Sequence, residues 1–285
     1  MKMNSIKMFF IATNLIVLLN ACKKDDPVVS LPTLSTLNIT AITISSAESG
    51  GNITSDGGAT VTERGVCYKK GSFPNITNDL KTSDASGSGQ FTSSLVSLEP
   101  GALYYARAYA TNSAGTAYGE QISFKTLPVA IGNDFGGGKV AYILQPLDPN
   151  YSGDYQHGLI ATPADLPVTN WGAYTLITST PHGIGNGNIN TSTITLTLGA
   201  GTYAAKVCAD LIFPAAGYSD WYLPSIDELN ELYLNQGDIG GFGIGDYWTS
   251  CQYDINAAWK YAFGLGTYSI ADKASTYLVR PVRSF

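Results

Sequence analysis

Apolar positions along this chain fall into three regimes. From Met8 to Leu19 they form a nearly continuous run, interrupted at Asn14, behind a start that carries Lys2 and Lys7. From about Leu34 to Thr126 short alternating stretches are punctuated by Gly, Asp and Ser, as in Ser49-Gly50-Gly51, Ser55-Asp56-Gly57-Gly58 and Ser86-Gly87-Ser88-Gly89. Many short strands at regular spacing predict a β-sandwich. Tyr104 to Ala110 alternates strictly, so one face packs inward while Tyr105, Arg107 and Tyr109 meet solvent or a neighbour.

Leu127-Pro128 marks a boundary, and Gly136 to Leu144 opens a new apolar strand. The remainder of the chain mixes strands with two helices. Ala204, Val207, Cys208 and Leu211 recur at helical spacing, which sets Cys208 on a core stripe. Pro224 followed by Ser225-Ile226-Asp227-Glu228 predicts a helix start with a capping box, Ser225 and Glu228 each satisfying a free amide. Ile226, Leu229, Leu232 and Tyr233 form the buried face of that helix. The division is 1–21 signal, 22–32 tether, 33–127 first domain and 128–285 second domain.

The first regime is too short to span a bilayer, which takes roughly 20 apolar residues. A basic start, an apolar run and small Ala21 are the parts of a secretion signal that is removed. Leu19-Asn20-Ala21-Cys22 resembles the cleavage site of a bacterial lipoprotein, although Asn20 replaces the usual small residue. The resemblance implies acyl chains on Cys22 and a membrane-tethered protein; the alternative is an ordinary thiol after a plain signal peptide. Lys24-Asp25-Asp26 resembles the surface-export signal of Bacteroidota lipoproteins, which implies the outer face of an outer membrane. The plainer reading of those three residues is a solvated linker.

Charge narrows the partners. Only 13% of the 285 residues are charged, with 31 Gly and 18 Tyr, a balance suited to strands joined by tight turns. Removal of Lys2 and Lys7 takes the formal net charge from −6 to −8. Such a body does not attract nucleic acid or anionic lipid, and leaves neutral glycans or basic partners. His157 and His182 are the two histidines, and there is no CxxC, HExxH or GxSxG. Cys67, Cys208 and Cys251 come after Cys22, so at least one thiol stays free or pairs between molecules. A Cys208–Cys251 bond is the favoured pairing, against buried thiols that act as small hydrophobes.

Leu98-Glu99-Pro100-Gly101 and then Tyr104 resemble the tyrosine corner of the fibronectin type III repeat, with Ala102 where that family often has Thr. Arg64-Gly65-Val66-Cys67-Tyr68 resembles a middle strand of the variant found in surface lipoproteins. The plainest role of such a domain is a spacer. Asp220 to Leu229, Tyr247-Trp248-Thr249-Ser250, Ala258-Trp259 and Val279 to Arg283 resemble the C-terminal domain of the Lcl adhesins. His157 to Ala161 and Gly185 to Thr191 fit it too. The fold class implied is multidomain: an all-β fibronectin-III-like sandwich followed by an α+β C-type-lectin-like domain. The Lcl members bind glycosaminoglycans and host matrix, but sulfated glycans need a basic surface and this body is acidic. Some of them form trimers, but their collagen-like stalk is missing here, which weakens any transfer of that assembly.

Glycan sites combine an aromatic platform with amides and carboxylates, and Trp171, Tyr174, Tyr253, Asp254 and Asn256 are the candidates, centred on the loop Gln252 to Asn256. Trp221, Trp248 and Trp259 are expected in the core. Arg280 and Arg283 are expected on one terminal strand, paired with Asp227 or Glu228. Asp148, Asn150, Ser152, Gly153 and Asp154 reproduce the first half of a calcium loop, but Leu159 stands where the bidentate acid belongs, so a hairpin turn is expected and no cofactor. Formylglycine-generating enzymes carry a similar Leu-Pro-Ser/Thr-x-x-Glu block; they need two neighbouring reactive cysteines, and Glu228 has no visible acid–base partner. The reading is a non-catalytic surface lipoprotein that binds a glycan or matrix ligand. The alternative is an envelope assembly role through protein contact.

Overall fold

The structure is a computed structural model that describes residues 28–212 and 217–285. The expected signal at 1–21, Cys22, Lys24, Asp25 and Asp26 lie outside the described residues. Among the described residues no helix is long and apolar enough to cross a membrane.

Eight strands build the first unit: β1 (Thr33–Thr36), β2 (Ala47–Ser55), β3 (Glu63–Lys70), β4 (Leu80–Lys81), β5 (Gly89–Leu95), β6 (Leu103–Asn112), β7 (Gly115–Tyr118) and β8 (Ile122–Lys125). One antiparallel sheet runs β1-β2-β5 and the other β4-β3-β6-β7, with β8 paired to the first half of β6. Ile53, Val66, Tyr68, Phe91, Leu95, Tyr104 and Phe124 fill the space between them. The sheets close tightly over β2, because a Cβ at Gly51 would stand 2.7 Å from the Phe91 ring and 2.8 Å from Ala108. The predicted corner is present: the Glu99 main-chain N–H donates to the Tyr104 hydroxyl at 3.1 Å. Tyr109 departs from the alternation by being fully buried. The segment around β4 covers it, and its hydroxyl donates to Thr82 O and Glu63 Oε1 at 2.7 and 2.9 Å.

The second unit carries β9 (Asp134–Phe135), β10 (Gly138–Ile143), β11 (Gly158–Ala161), β12 (Leu166–Asn170), α1 (Gly187–Leu198), α2 (Ala204–Ala209), α3 (Ile226–Leu234), α4 (Gln236–Ile239), β13 (Asp246–Gln252), β14 (Ala257–Ala262), β15 (Thr267–Asp272), β16 (Thr276–Val279) and β17 (Val282–Ser284). A four-stranded sheet runs β17-β11-β10-β9 and a five-stranded sheet β12-β16-β13-β14-β15. Successive residues of β13 point to opposite faces. Tyr247 therefore enters a core with Leu229, Leu232 and Val282, while Trp248 enters another with Trp171, Ile194 and Cys208.

Helices α2 and α3 form where the periodicity predicts them, and α3 opens on the full Ser225–Glu228 capping box. Helix α1 is a third major helix in a Thr-rich segment whose β-branched residues favour strands. Its threonines bond back to their own helix, Thr193, Thr195 and Thr197 donating to the carbonyls of Ile189, Thr191 and Thr193. Burial of Asn190, Thr191 and Ile194 then decides the matter. Arg280 and Arg283 do not share a strand, because Pro281 lies between β16 and β17 and cannot continue a ladder. Gln156 ties the units together: its side chain brackets the main chain of Val129 at 2.7 and 3.1 Å, and its N–H donates to Pro100 O at 3.0 Å.

Candidate recognition surface

The β13–β14 turn is shaped by Asp254. One of its carboxylate oxygens accepts from the N–H groups of Asn256 and Ala257 at 2.8 and 2.7 Å, while Tyr253 and Asp254 donate their own N–H groups to Ala257 O. This leaves Tyr253 standing out at 55% exposure. Its ring meets Trp259 edge-on with centroids 5.4 Å apart. Tyr268, also 55% exposed, approaches the same indole at 5.5 Å, and His182 at 5.8 Å. Ile270 sits opposite Trp259 across the β14–β15 ladder and is exposed. Trp259 itself is half-buried rather than a core ring: residues 257, 259 and 261 of β14 share one face, and on it Tyr261 is buried against Asn230 and Tyr233 of α3 while Trp259 is left partly open. The result is an aromatic cluster on the surface, edged by Asn256 and by the start of α3, where Asp227 donates its N–H to His182 O.

Trp171 is not part of this surface. It is fully buried, and its indole N–H donates to Thr249 O at 2.8 Å, so it serves the core. Tyr174 is exposed and its hydroxyl donates to Asp272 Oδ1 at 2.7 Å. That bond holds the Asp272 carboxyl below the usual range. Trp221 and Trp248 are buried as expected.

Lys273 is an interior residue at this turn with no local signal in the sequence. It is fully buried, and burial pushes its ammonium down to about 8 against the opposing charge of Asp254. Nothing in a turn reading Asp272-Lys273-Ala274-Ser275 marks that lysine as interior.

The calcium-like residues spend their oxygens on a turn. Asp148 Oδ2 accepts from the Tyr142 hydroxyl and the Gln145 N–H, both at 2.6 Å, and Ser152 Oγ accepts from Asp154 N–H at 3.1 Å. Asn150 adopts φ of +65° there. Among the described residues no three His, Cys, Asp or Glu side chains gather as metal ligands. The same segment lines a cleft of about 600 Å³ between the units, with Lys125, Tyr151, Tyr155 and His157, which shares no residue with the aromatic cluster.

Cys208 and Cys251 are free, buried thiols, not a disulfide. Cys208 packs in the α2 core, whereas Cys251 Sγ lies 3.5 Å from Pro181 O. Burial raises both, Cys251 to about 12, and it raises Cys67 as well. A thiolate nucleophile is therefore not held at neutral pH. Glu228 is fully buried inside its cap, accepting from Ser225 N–H at 2.8 Å and Gly185 N–H at 2.9 Å. Burial raises its carboxyl to about 7, with those N–H donors pulling the other way. Neither arginine reaches Asp227 or Glu228. Buried Arg280 pairs with Asp165 at 2.8 Å over the Phe242 ring, and Arg283 grips Asp220 with two bonds of 2.7 and 2.8 Å.

No curated protein matches the chain at a significant level. Solved structures similar to it include the sensor domain of the anti-sigma factor RsgI4 of Pseudobacteroides cellulosolvens, at 20% identity and TM-score 0.28, covering 36% of this chain and all of that one. A fourth fibronectin type III domain from human is 22% identical at TM-score 0.27, covering 41% of this chain and 92% of its own. The third fibronectin III domain of human KIAA0343 protein is 17% identical at TM-score 0.26, covering 37% and 90%. The family model of the Lcl C-terminal domain matches residues 174–283, a stretch that begins after Trp171 and contains Glu228, the whole Trp259 cluster and Lys273.

Proposed function

We propose that the protein is a non-catalytic recognition lipoprotein of the cell surface, which binds a glycan through the Trp259 cluster. In this reading acyl chains on Cys22 anchor it to an outer membrane and Lys24-Asp25-Asp26 direct it outward. The sandwich serves as a spacer, and the terminal unit, lectin-like in role, meets the ligand. The observation that carries the proposal is the gathering of exposed Tyr253 and Tyr268 and of His182 on half-buried Trp259. An aromatic ring left half in water offers its face to the apolar C–H side of a sugar ring. Nearby Asn256, Asp254 and Asp272 offer groups that bond hydroxyls. The net charge, −6 for the full chain and −8 once Lys2 and Lys7 are removed, favours a neutral glycan over a sulfated one.

The test is a glycan and matrix-protein array probed with the chain from Lys23 onward, with wild type beside Trp259→Ala. Saturable, selective hits that weaken by roughly tenfold in the variant are expected, the loss of one good stacking contact. A blank array with folded protein whose mass rises with concentration would overturn this reading in favour of contact with another envelope protein.

A further inference from the structure

We infer that Lys273 is the positioning residue of this recognition surface, its buried ammonium joining three loop segments and holding Tyr253 against Trp259. The inference rests on the proposed role of the Trp259 cluster and adds what keeps its outermost ring in place.

The geometry is complete around one nitrogen. Lys273 Nζ donates to Thr175 O at 2.9 Å, Gln252 Oε1 at 2.9 Å and Ile255 O at 3.1 Å. An ammonium has three donors and no acceptor, so all its hydrogens are used. The acceptors come from the segment between β12 and α1, from the end of β13 and from the β13–β14 turn. The charge also lies 4.7 Å from the centre of the Trp171 ring. The lysine main chain reinforces the joint, its N–H donating to Asn256 O and its carbonyl accepting from Trp171 N–H, both at 2.9 Å. Gln252 in turn accepts from Ile177 N–H at 3.1 Å.

Among the described residues no carboxylate bonds to the ammonium directly; Asp254 acts on it through space, and its bonded partners are neutral oxygens. Burying a charge is costly, and apolar packing generally serves stability as well or better. The arrangement instead suits a loop that must be fixed in shape: the carbonyls of Thr175 and Ile255 and the side-chain oxygen of Gln252 converge on a single positive centre. Bound cations organise loops by the same physics. Here the cation is a side chain of the chain itself, so the surface needs no added metal to hold its form.

The test compares wild type with Lys273→Ala in the full mature chain. Hydrogen exchange is read at the amides of Tyr253, Asp254 and Ala257, and binding is read with a glycan identified on the array. Exchange should accelerate by roughly tenfold or more, the equivalent of a lost charge-assisted hydrogen bond, and binding should weaken. Ethylammonium added to the variant should restore both, whereas ethanol, of similar size and uncharged, should restore neither. A chelator should leave the wild type unchanged. Unaltered exchange in the variant, equal rescue by ethanol, or loosening of the wild-type loop by chelator would each overturn the inference. Normal binding by Lys273→Ala alone would overturn only the role of the lysine, whereas normal binding by Trp259→Ala as well would overturn the surface itself. Should Lys273→Ala fail to fold, Gln252→Leu removes one acceptor and is read by the same exchange measurement.

Discussion

Replacing Glu228 by Gln should flatten the dependence of the second unit's stability on pH. The carboxylate sits at 0% exposure at the start of α3, and burial raises it from 4.5 to about 7. Between those two values the native protein keeps a proton that the unfolded chain has released. Stability is therefore fully present below about pH 4.5 and is lost as pH rises through about 7. At about 1.4 kcal/mol per pH unit, the gap amounts to about 3 kcal/mol. Gln cannot titrate, so the difference between wild type and variant isolates this group. Asp227 and Glu231, whose carboxyls burial also raises, are common to both proteins and cancel. Urea unfolding followed by tryptophan emission is the assay, because Trp171, Trp221, Trp248 and Trp259 all lie in the second unit and report on it alone. The stability difference should shrink by about 3 kcal/mol between about pH 4.5 and pH 8. A difference curve flat to within about 1 kcal/mol would refute the reasoning, since the N–H donors of Ser225, Gly185 and Gly187 would then be holding the charge against burial.

Tyr104→Phe should destabilise the sandwich by about 1–3 kcal/mol, because the Glu99 N–H loses its acceptor in a nearly closed site; circular dichroism should show the shift while the tryptophan-reported transition stays put. Gly187→Ala should destabilise the second unit by about 1–3 kcal/mol, since a Cβ there would run into Glu228 Oε2 and stand 2.8 Å from Leu223 O; the same urea assay reads it, and an unchanged midpoint would contradict the packing. Native protein should resist thiol labelling at Cys67, Cys208 and Cys251 until denaturant is added, and labelling that is fast in the fold would contradict their burial.

What could be read from the sequence was local. The capping box of α3 and the tyrosine corner each rest on residues within six positions of one another, so their chemistry shows in the spacing. Helix α1 carries no such local signal because its stability comes from elsewhere: Asn190 reaches Ser250 Oγ at 3.0 Å, and the Thr191 hydroxyl accepts from Leu223 N–H at 3.0 Å. Those contacts outweigh the strand preference of its threonines. The tryptophans show the same limit from the other side. Trp171 is held in the core by a carbonyl 78 positions away, while Trp259 lies on a strand whose outer neighbour, β15, is an exposed edge. Neither fact is written near either residue. A tryptophan in a loop-like stretch reads as a platform and one in a strand reads as core, and the fold assigns them the other way round. Arg280 obeys the same rule, its carboxylate partner Asp165 lying 115 positions upstream. Lys273 is the furthest case, since its three acceptors come together only when β12, β13 and the turn before β14 have been brought into one place. A surface assembled in this way depends on the whole unit being folded. Its binding strength should therefore track the stability of the second unit, and a destabilising change in α1, far from Trp259 in sequence, should weaken binding once the unit begins to open.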